Sequence, residues 1–424
     1  MAVPVKSLIV GLLAVIVAIS YAPVKTRLDQ FGFTRTPKNT HIADNDNFVT
    51  IQDTIQCEDL HYYQPGNVLF AACEDDLVQR SSWFPGLVNL KPTPETQQGS
   101  IHVIDPVSMI SRRLAFENFP GPFVTHGIEV IPDSDSSKHV YIFAVNHLPN
   151  PEYLAGDKSA AEARSQIELF HYNLGADSVR HVRTIRHPLI STPNDIYAES
   201  PTSFYVTNDH FYRKGLLREL EDLFPAAKWS STMHVSLSSP SPSSPSDGIT
   251  VTTALSRVHN NNGLGHGRNS SEVLIASAAG GVLHLAARSP GTNNHALAIR
   301  ETILMPSTLD NPSYYSDAYA TPDSDASGYV LAGLARACDL AKTKEDPEAT
   351  DPVLVWHVRK RSAPNGGEEW EKRIIFEDDG SRIRSASAAV LVGIDPESEG
   401  GRKRAWLFVT GFLAKSMVAV KVDL

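Results

Sequence analysis

From about residue 45 to its C-terminus the chain is a succession of short β-like runs cut by Gly, Pro, Asp and Asn, and this rhythm constrains the fold more than any other feature. Ser100 to Ile104 ends at Asp105-Pro106, and Val140 to Val145 ends at Asn146-His147. Ile167 to Tyr172, Phe204 to Thr207, Val273 to Ala276, Tyr329 to Ala332, Val353 to Val358 and Trp406 to Thr410 continue the pattern. Such runs predict an all-β sandwich, barrel or propeller. A sandwich or small barrel uses far fewer than 424 residues, whereas four-stranded propeller blades consume chain readily. No repeat of the Trp-Asp or kelch kind occurs, so blade number is not set by periodicity. Helical periodicity appears mainly once. Leu216, Leu217, Leu220, Leu223 and Phe224 form an apolar stripe opposite Arg218, Glu219, Glu221 and Asp222, predicting a short surface helix. Its apolar face is expected either to sit on the propeller top or to lie in a membrane interface. Ser236 to Asp247 (SLSSPSPSSPSD) and Leu340 to Asp351 (LAKTKEDPEATD) cannot build a core, which places surface loops near 213–248 and 340–351.

The charge balance narrows the partners. With 38 Lys+Arg against 48 Asp+Glu the net charge is −10, which argues against nucleic acid and suits bound cations. Three cysteines are too few for a disulfide scaffold or a thiolate zinc site. Cys57 and Cys73 are candidates to pair with each other, leaving Cys338 over. The apolar run from Ser7 to Ile19, with Lys6 before it and Lys25 and Arg27 after it, falls short of the ~20 residues of a spanning helix and matches a secretory signal core. Residues 1–22 are therefore read as a signal peptide or signal anchor, and the product as secreted or membrane-anchored through the secretory pathway. The Asn269-Ser270-Ser271 sequon suits a glycoprotein on that route.

Chemistry is suggested by oxygen-bearing pairs beside β runs: Glu58-Asp59, Asn194-Asp195, Asn208-Asp209, Asn260-Asn261-Asn262-Gly263 and Asp310-Asn311. Each alone is ordinarily a turn former. Their number suggests donors converging on a propeller axis, which would suit Ca²⁺ and its roughly 6–8 oxygen ligands. His126 and His147 are candidates to take a proton from water attacking a carbonyl. There is no Gly-x-Ser-x-Gly, His-Glu-x-x-His or Cys-x-x-Cys motif, so serine-esterase and zinc-hydrolase chemistry lack support.

At these residues the chain resembles the paraoxonase/arylesterase family. The resemblance rests on Glu58-Asp59-Leu60, His126-Gly127-Ile128, Val145-Asn146-His147, Thr184-Ile185-Arg186-His187, Asn194-Asp195-Ile196, Phe204-Tyr205-x-Thr207-Asn208-Asp209-His210, Asn262-Gly263-Leu264 and Leu309-Asp310-Asn311. It covers most of the chain after about residue 40 and implies a six-bladed β-propeller over residues 40–424 with two calcium ions in its tunnel. By that resemblance Glu58, Asn194, Asn262, Asp310 and Asn311 hold the catalytic ion, while Asp59, Asp195 and the Ile128 carbonyl hold a structural one. His126 becomes the general base with His147 behind it. The implied activity is calcium-dependent hydrolysis of lactones and aryl esters, with a small-molecule substrate and possible membrane association. The rivals are a non-catalytic binding propeller and a related single-metal lactonase. The family's covalent tie between its termini is missing, since the chain ends Val418-Ala419-Val420-Lys421-Val422-Asp423-Leu424 without Cys, so strand pairing alone must close the ring.

Overall fold

The apolar runs are strands, and most are buried on both faces, which explains why they read as continuous rather than alternating hydrophobic stretches. The computed structural model describes residues 21–39, 47–91, 99–119, 121–241, 244–289, 295–362 and 366–424. The N-terminal apolar run and part of the Ser/Pro-rich loop lie outside these residues. No helix among the described residues is long and apolar enough to cross a membrane.

Six sheets form six propeller blades. The inner strands are, in order, Cys57–Tyr63, Thr125–Asp133, Pro193–Ser200, Asn261–His266, Pro312–Tyr315 and Ala386–Ile394. Each blade continues outward through antiparallel neighbours, and the second adds a parallel edge strand, Ala115–Glu117. The sixth blade takes its outermost strand from the other end of the chain. Phe48–Ile51 pairs antiparallel with Met417–Asp423, in the register Phe48↔Val420 to Ile51↔Met417. The ring is thus closed by backbone pairing, while the Cys57–Cys73 disulfide joins the first two strands of the first blade.

Six apolar clusters occupy the six blade-to-blade interfaces. Phe143, Leu169, Ile196 and Phe204 join the second blade to the third, for example, and Ile51, Phe408, Met417, Leu69 and Ile104 join the sixth to the first. Blade stacking therefore supplies the core, and the closing strand contributes Ile51 at 0% exposure. Ile51→Ala is expected to destabilise the ring by about 2–5 kcal/mol, the usual cost of a buried Ile truncation. Denaturant unfolding checks this. A loss below about 1 kcal/mol would show that the latch carries little of the stability.

One local device recurs. In five of the six inner strands the ladder gains an extra residue near the strand start, between Cys57 and Asp59, Thr125 and Ile128, Pro193 and Ile196, Asn261 and Leu264, and Ala386 and Ala389. Such bulges break the strict in/out alternation and re-aim side chains. Three of the five fall on the polar pairs seen in the sequence, Glu58-Asp59, Asn194-Asp195 and Asn261-Asn262, and a fourth on His126. Two glycines let neighbouring inner strands approach there: a Cβ on Gly127 would sit 2.5 Å from Asp195 Oδ1, and one on Gly263 2.6 Å from the Asn311 Cα.

Above this end of the tunnel lie an insertion in the first blade and two helices. The insertion comprises the helical turn Gln79–Ser82 and a ribbon of Trp83–Phe84 with Asn89–Leu90. Residues 21–30 are helical, and Gln30 anchors them by donating to the carbonyl of Gly280 at 2.7 Å. The helix expected near residue 216 spans Leu216–Leu223, but its polarity is reversed relative to a packed surface helix. Arg218 and Glu221 are buried, while Leu216, Leu217, Leu223 and Phe224 are exposed. Hydrogen bonds cause the inversion. Glu221 accepts from the amides of Phe211 and Tyr212, and Arg218 donates to the carbonyl of Gly86. The segment after residue 340 starts with the helical turn Leu340–Thr343 and ends inward, with Asp351 buried against Arg384.

Candidate active site

The ten candidate site residues converge on the tunnel, where Glu58, His126, Asn194, Asn262 and Asp310 line one cavity and Asp59, Ile128 and Asn311 another. Glu58 and Asp59 come from the first blade, His126 and Ile128 from the second, Asn194 and Asp195 from the third, and Asn262 from the fourth. Asp310 and Asn311 immediately precede the fifth inner strand, and His147 lies on the second strand of the second blade, Ser136–Pro149. Asn311 Nδ2 donates to Glu58 Oε1 at 3.1 Å, a contact between residues 253 positions apart.

The oxygens that remain unpaired define the site. Eight buried carboxylate or amide oxygens have no hydrogen-bond partner among the described residues, and five of them are Glu58 Oε2, Asn194 Oδ1, Asn262 Oδ1, Asp310 Oδ1 and Asn311 Oδ1. Buried polar atoms normally find partners; four of these residues line one cavity and Asn311 is bonded to Glu58, so the set suits an electropositive ligand. The donors are all oxygen, as a hard divalent cation requires. The residues present fit such an ion. Of the three consecutive asparagines, Asn260 accepts the amide of Ala279 through its oxygen, whereas Asn261 and Asn262 both keep a free oxygen, and of these two only Asn262 lines the cavity.

Asp59 and Asp195 are bonded differently. Asp59 accepts the amides of Leu60 at 2.7 Å and Ile128 at 2.8 Å, and Asp195 accepts those of Ile196 and Leu264, each at 2.7 Å. Each therefore clasps its blade to a neighbour, and its oxygens retain a second lone pair for a ligand. Burial raises Asp59 to about 6, even though the Ile128 and Leu60 amides pull the other way. Burial, with repulsion among these carboxylates, holds Glu58, Asp195 and Asp310 well above the usual carboxylate range. The Arg80 charge opposes this shift only at Glu58, so the cluster stays rich in negative charge, a setting that suits a cation.

Beside the oxygens runs a directed hydrogen-bond chain. Asn194 Nδ2 lies 3.2 Å from His126 Nε2, His126 Nδ1 lies 2.8 Å from His147 Nε2, and His147 Nδ1 lies 2.7 Å from Ser165 Oγ. An amide nitrogen only donates, so His126 Nε2 carries the lone pair and Nδ1 the proton, which it gives to His147 Nε2. His147 Nδ1 then donates to Ser165. Burial and the neighbouring His147 hold His126 well below the ordinary histidine value, and burial takes His147 to about 4. Both imidazoles are thus neutral, and the His126 Nε2 that accepts from Asn194 lies 3.8 Å from Glu58 Oε1.

The surrounding cavity has a volume of about 510 Å³. Its floor is polar, whereas Phe31, Phe84, Leu87, Val88, Leu340 and Phe412 give it apolar walls. The Phe84 ring packs edge-on against His126, with centroids 4.8 Å apart. Sequence reasoning missed three supports. Ser165 has no motif around it, and the ribbon 83–90 carries no signal of a cover. Arg80 is fully buried, lies 4.1 Å over the Phe84 ring and donates to the carbonyls of Gln56 and Thr125, a role that no spacing reveals.

The mouth helix is tied down by a titratable link. His210 Nε2 lies 2.7 Å from Asp222 Oδ1, and His210 also faces Asp209, Arg218 and Asn260. Burial pulls the His210 pKa down, but Asp209 and Asp222 outweigh burial and the Arg218 charge, so it is raised. Burial likewise opposes ionisation of Asp222, yet its bond to His210 lowers its pKa. A raised His stabilises the folded form below its unfolded value of about 6.5, and the contribution disappears as pH rises through the folded value. Hydrogen exchange of residues 216–223, corrected for intrinsic rates, is expected to show protection falling as pH rises above about 6.5. A His210→Gln variant removes that dependence. Equal protection across the range would sever the link.

Fold and site together define a six-bladed propeller with an oxygen-lined tunnel and a histidine pair. Residues 84–253 match the Arylesterase family model, a span that includes both histidines, Ile128, Asn194 and Asp195. The similarity to the paraoxonase/arylesterase family extends to individual proteins. The chain is 35% identical over 116 residues to serum paraoxonase/arylesterase 2 of Gallus gallus, covering 27% of this chain and 28% of that protein. With serum paraoxonase/arylesterase 2 of Rattus norvegicus it shares 31% over 157 residues, 36% of this chain and 39% of that one. A longer match, 24% identical over 316 residues, is to serum paraoxonase/lactonase 3 of Oryctolagus cuniculus, covering 72% and 74%. The chain thus spans between a quarter and two fifths of the first two relatives.

Proposed function

We propose that this protein is a calcium-dependent hydrolase of lactones and aryl esters, acting from the secretory pathway. The observation that carries the reading is the set of five unpartnered buried oxygens beside the His126 lone pair. Glu58, Asn194, Asn262, Asp310 and Asn311 would hold one calcium ion, and Asp59, Asp195 and the Ile128 carbonyl a second that braces three blades. Calcium in the first position supplies positive charge to polarise the substrate carbonyl and stabilise the oxyanion.

The chain's own groups do the rest. The apolar walls take up the acyl or aryl part and exclude bulk water. The attacking water would take the place of the Asn194 N–H at His126 Nε2. That nitrogen then removes the water's proton while Nδ1 stays bonded to His147, which spreads the developing imidazolium charge. Ser165 keeps His147 in the tautomer that can receive that bond. As the tetrahedral intermediate collapses, the proton on Nε2 passes to the departing alkoxide or phenoxide oxygen. Asn194 joins the two halves of the site, with its oxygen toward the cation and its amide nitrogen on the base.

The exposed Leu216, Leu217, Leu223 and Phe224 at the mouth support membrane association, because the face that a soluble helix would bury points outward. Asn269 lies exposed in a surface turn, which supports glycosylation. The test is hydrolysis of a lactone series and phenyl acetate by the purified protein in calcium and after chelation. Turnover in calcium that disappears on chelation and returns on calcium readdition is expected. Calcium binding without turnover of any substrate would favour a binding propeller, and turnover indifferent to calcium would remove the proposed chemistry.

A further inference from the structure

A second set of ligating side chains stands far from the tunnel in the sequence pattern, at the opposite end of the second blade. Asp133 closes the inner strand, His139 lies on the second strand and His171 on the third. One ligand atom from each lies within 4.8 Å of the other two. His171 Nε2 is 2.9 Å from Asp133 Oδ2, close to the ~3 Å edge between two ligands each bonded at about 2 Å to one tetrahedral ion. The other Asp133 oxygen is fixed by the amide of Asp135 at 3.0 Å, and the Tyr141 ring supports His171 with centroids 4.9 Å apart. The His139 ring edges against His171, and its nitrogens make no hydrogen bond among the described residues. All three residues are half-buried, so solvent or a further ligand can complete the shell. Arg180 is the cross-strand neighbour of His171, and Asp135 lies close by to offset its charge.

We propose that Asp133, His139 and His171 form a surface site for a zinc-class divalent cation, distinct from the tunnel and pinning the first three strands of the blade that carries His126 and His147. Two imidazoles and one carboxylate suit Zn²⁺, Cu²⁺ or Ni²⁺ and discriminate against Ca²⁺, which prefers an oxygen-only shell. The two sites therefore select different ions. A third cluster, Glu199, His234 and His295, is occupied by its own partners: Arg288 pairs with Glu199, Ser203 donates to it, and the two imidazoles stack at 3.7 Å.

The probe is Zn²⁺ alone, titrated by calorimetry into full-length protein kept in excess calcium and stripped of transition metals. One zinc site is expected, weakened at least about tenfold in His139→Gln and in His171→Gln and unchanged in His234→Gln. Co²⁺ bound in its place should give a visible absorption band that is lost in both variants. The calcium-loaded thermal midpoint confirms that the variants fold, and Asp133→Asn, a near-isosteric change at the end of the strand, provides a third variant if either histidine change fails this control. Equal zinc affinity in the His139 and His171 variants, a loss that tracks His234 instead, or no zinc binding by the parent protein would each overturn the site. None of these readouts depends on hydrolysis, so the outcome is independent of the tunnel's proposed activity.

Discussion

Glu58→Gln is expected to abolish calcium-dependent hydrolysis while making the calcium-free protein more stable. Glu58 is fully enclosed, with Asp310 and Asp59 nearby, and burial followed by those two charges raises its pKa. Replacing it with an isosteric amide removes one carboxylate from a crowded cluster, so the chelated protein should melt higher than its parent. In calcium the sign reverses. Loss of a charged ligand should weaken calcium binding at least about 10–100-fold, and with it the stabilisation that binding confers. Thermal melts of parent and variant, with calcium and with chelator, give four midpoints whose crossing is the diagnostic. If Glu58→Gln lowers the midpoint equally in both conditions, Glu58 acts as the acceptor for Asn311 and not as a cation ligand. Calorimetric calcium titration separates the same alternatives, and substrate turnover then reports how much of the rate depends on the ion.

His126→Gln is expected to lower kcat by about 10²–10⁴-fold, the range for loss of a positioned base, with calcium affinity unchanged. The change leaves a side chain able to accept from Asn194 but unable to take up a proton. His147→Gln should act through His126 and cost less, because it removes only the group that receives the Nδ1 proton bond. Its effect should fall on kcat with KM preserved, and Ser165→Ala should follow in the same direction with a smaller loss. Because His126 packs against Phe84 and His147, each variant needs an unchanged melt in calcium before its kinetics are interpreted. Full activity in a folded His126→Gln protein would remove the base from the mechanism and leave the oxygen cluster as the sole catalytic feature.

How far each part could be foreseen depends on the range of the forces that form it. The strands were legible because a blade buried on both faces needs apolar residues at successive positions, as Val140 to Val145 shows. The expected closure of the ring by strand pairing is seen where Phe48–Ile51 pairs with Met417–Asp423. The mouth helix was legible as a helix, whereas its orientation was not. Amphipathic periodicity implies a buried apolar stripe, but Glu221 and Arg218 found backbone partners on other elements and turned that stripe outward.

The candidate site divides along the same line. Local sequence by itself determined the all-β character, the helix at 216–223, the glycines beside the polar pairs and the residues worth suspecting. Those properties depend on neighbours within a few positions. Only the tertiary structure decided which of Asn260, Asn261 and Asn262 brings a free oxygen to the cavity, that Ser165 completes the histidine chain, that Arg80 lies buried against Phe84, and that Glu58, Asn194, Asn262 and Asp310 line one cavity. Each of those facts is a distance between blades, set by how six sheets pack around an axis, and no spacing along the chain encodes it.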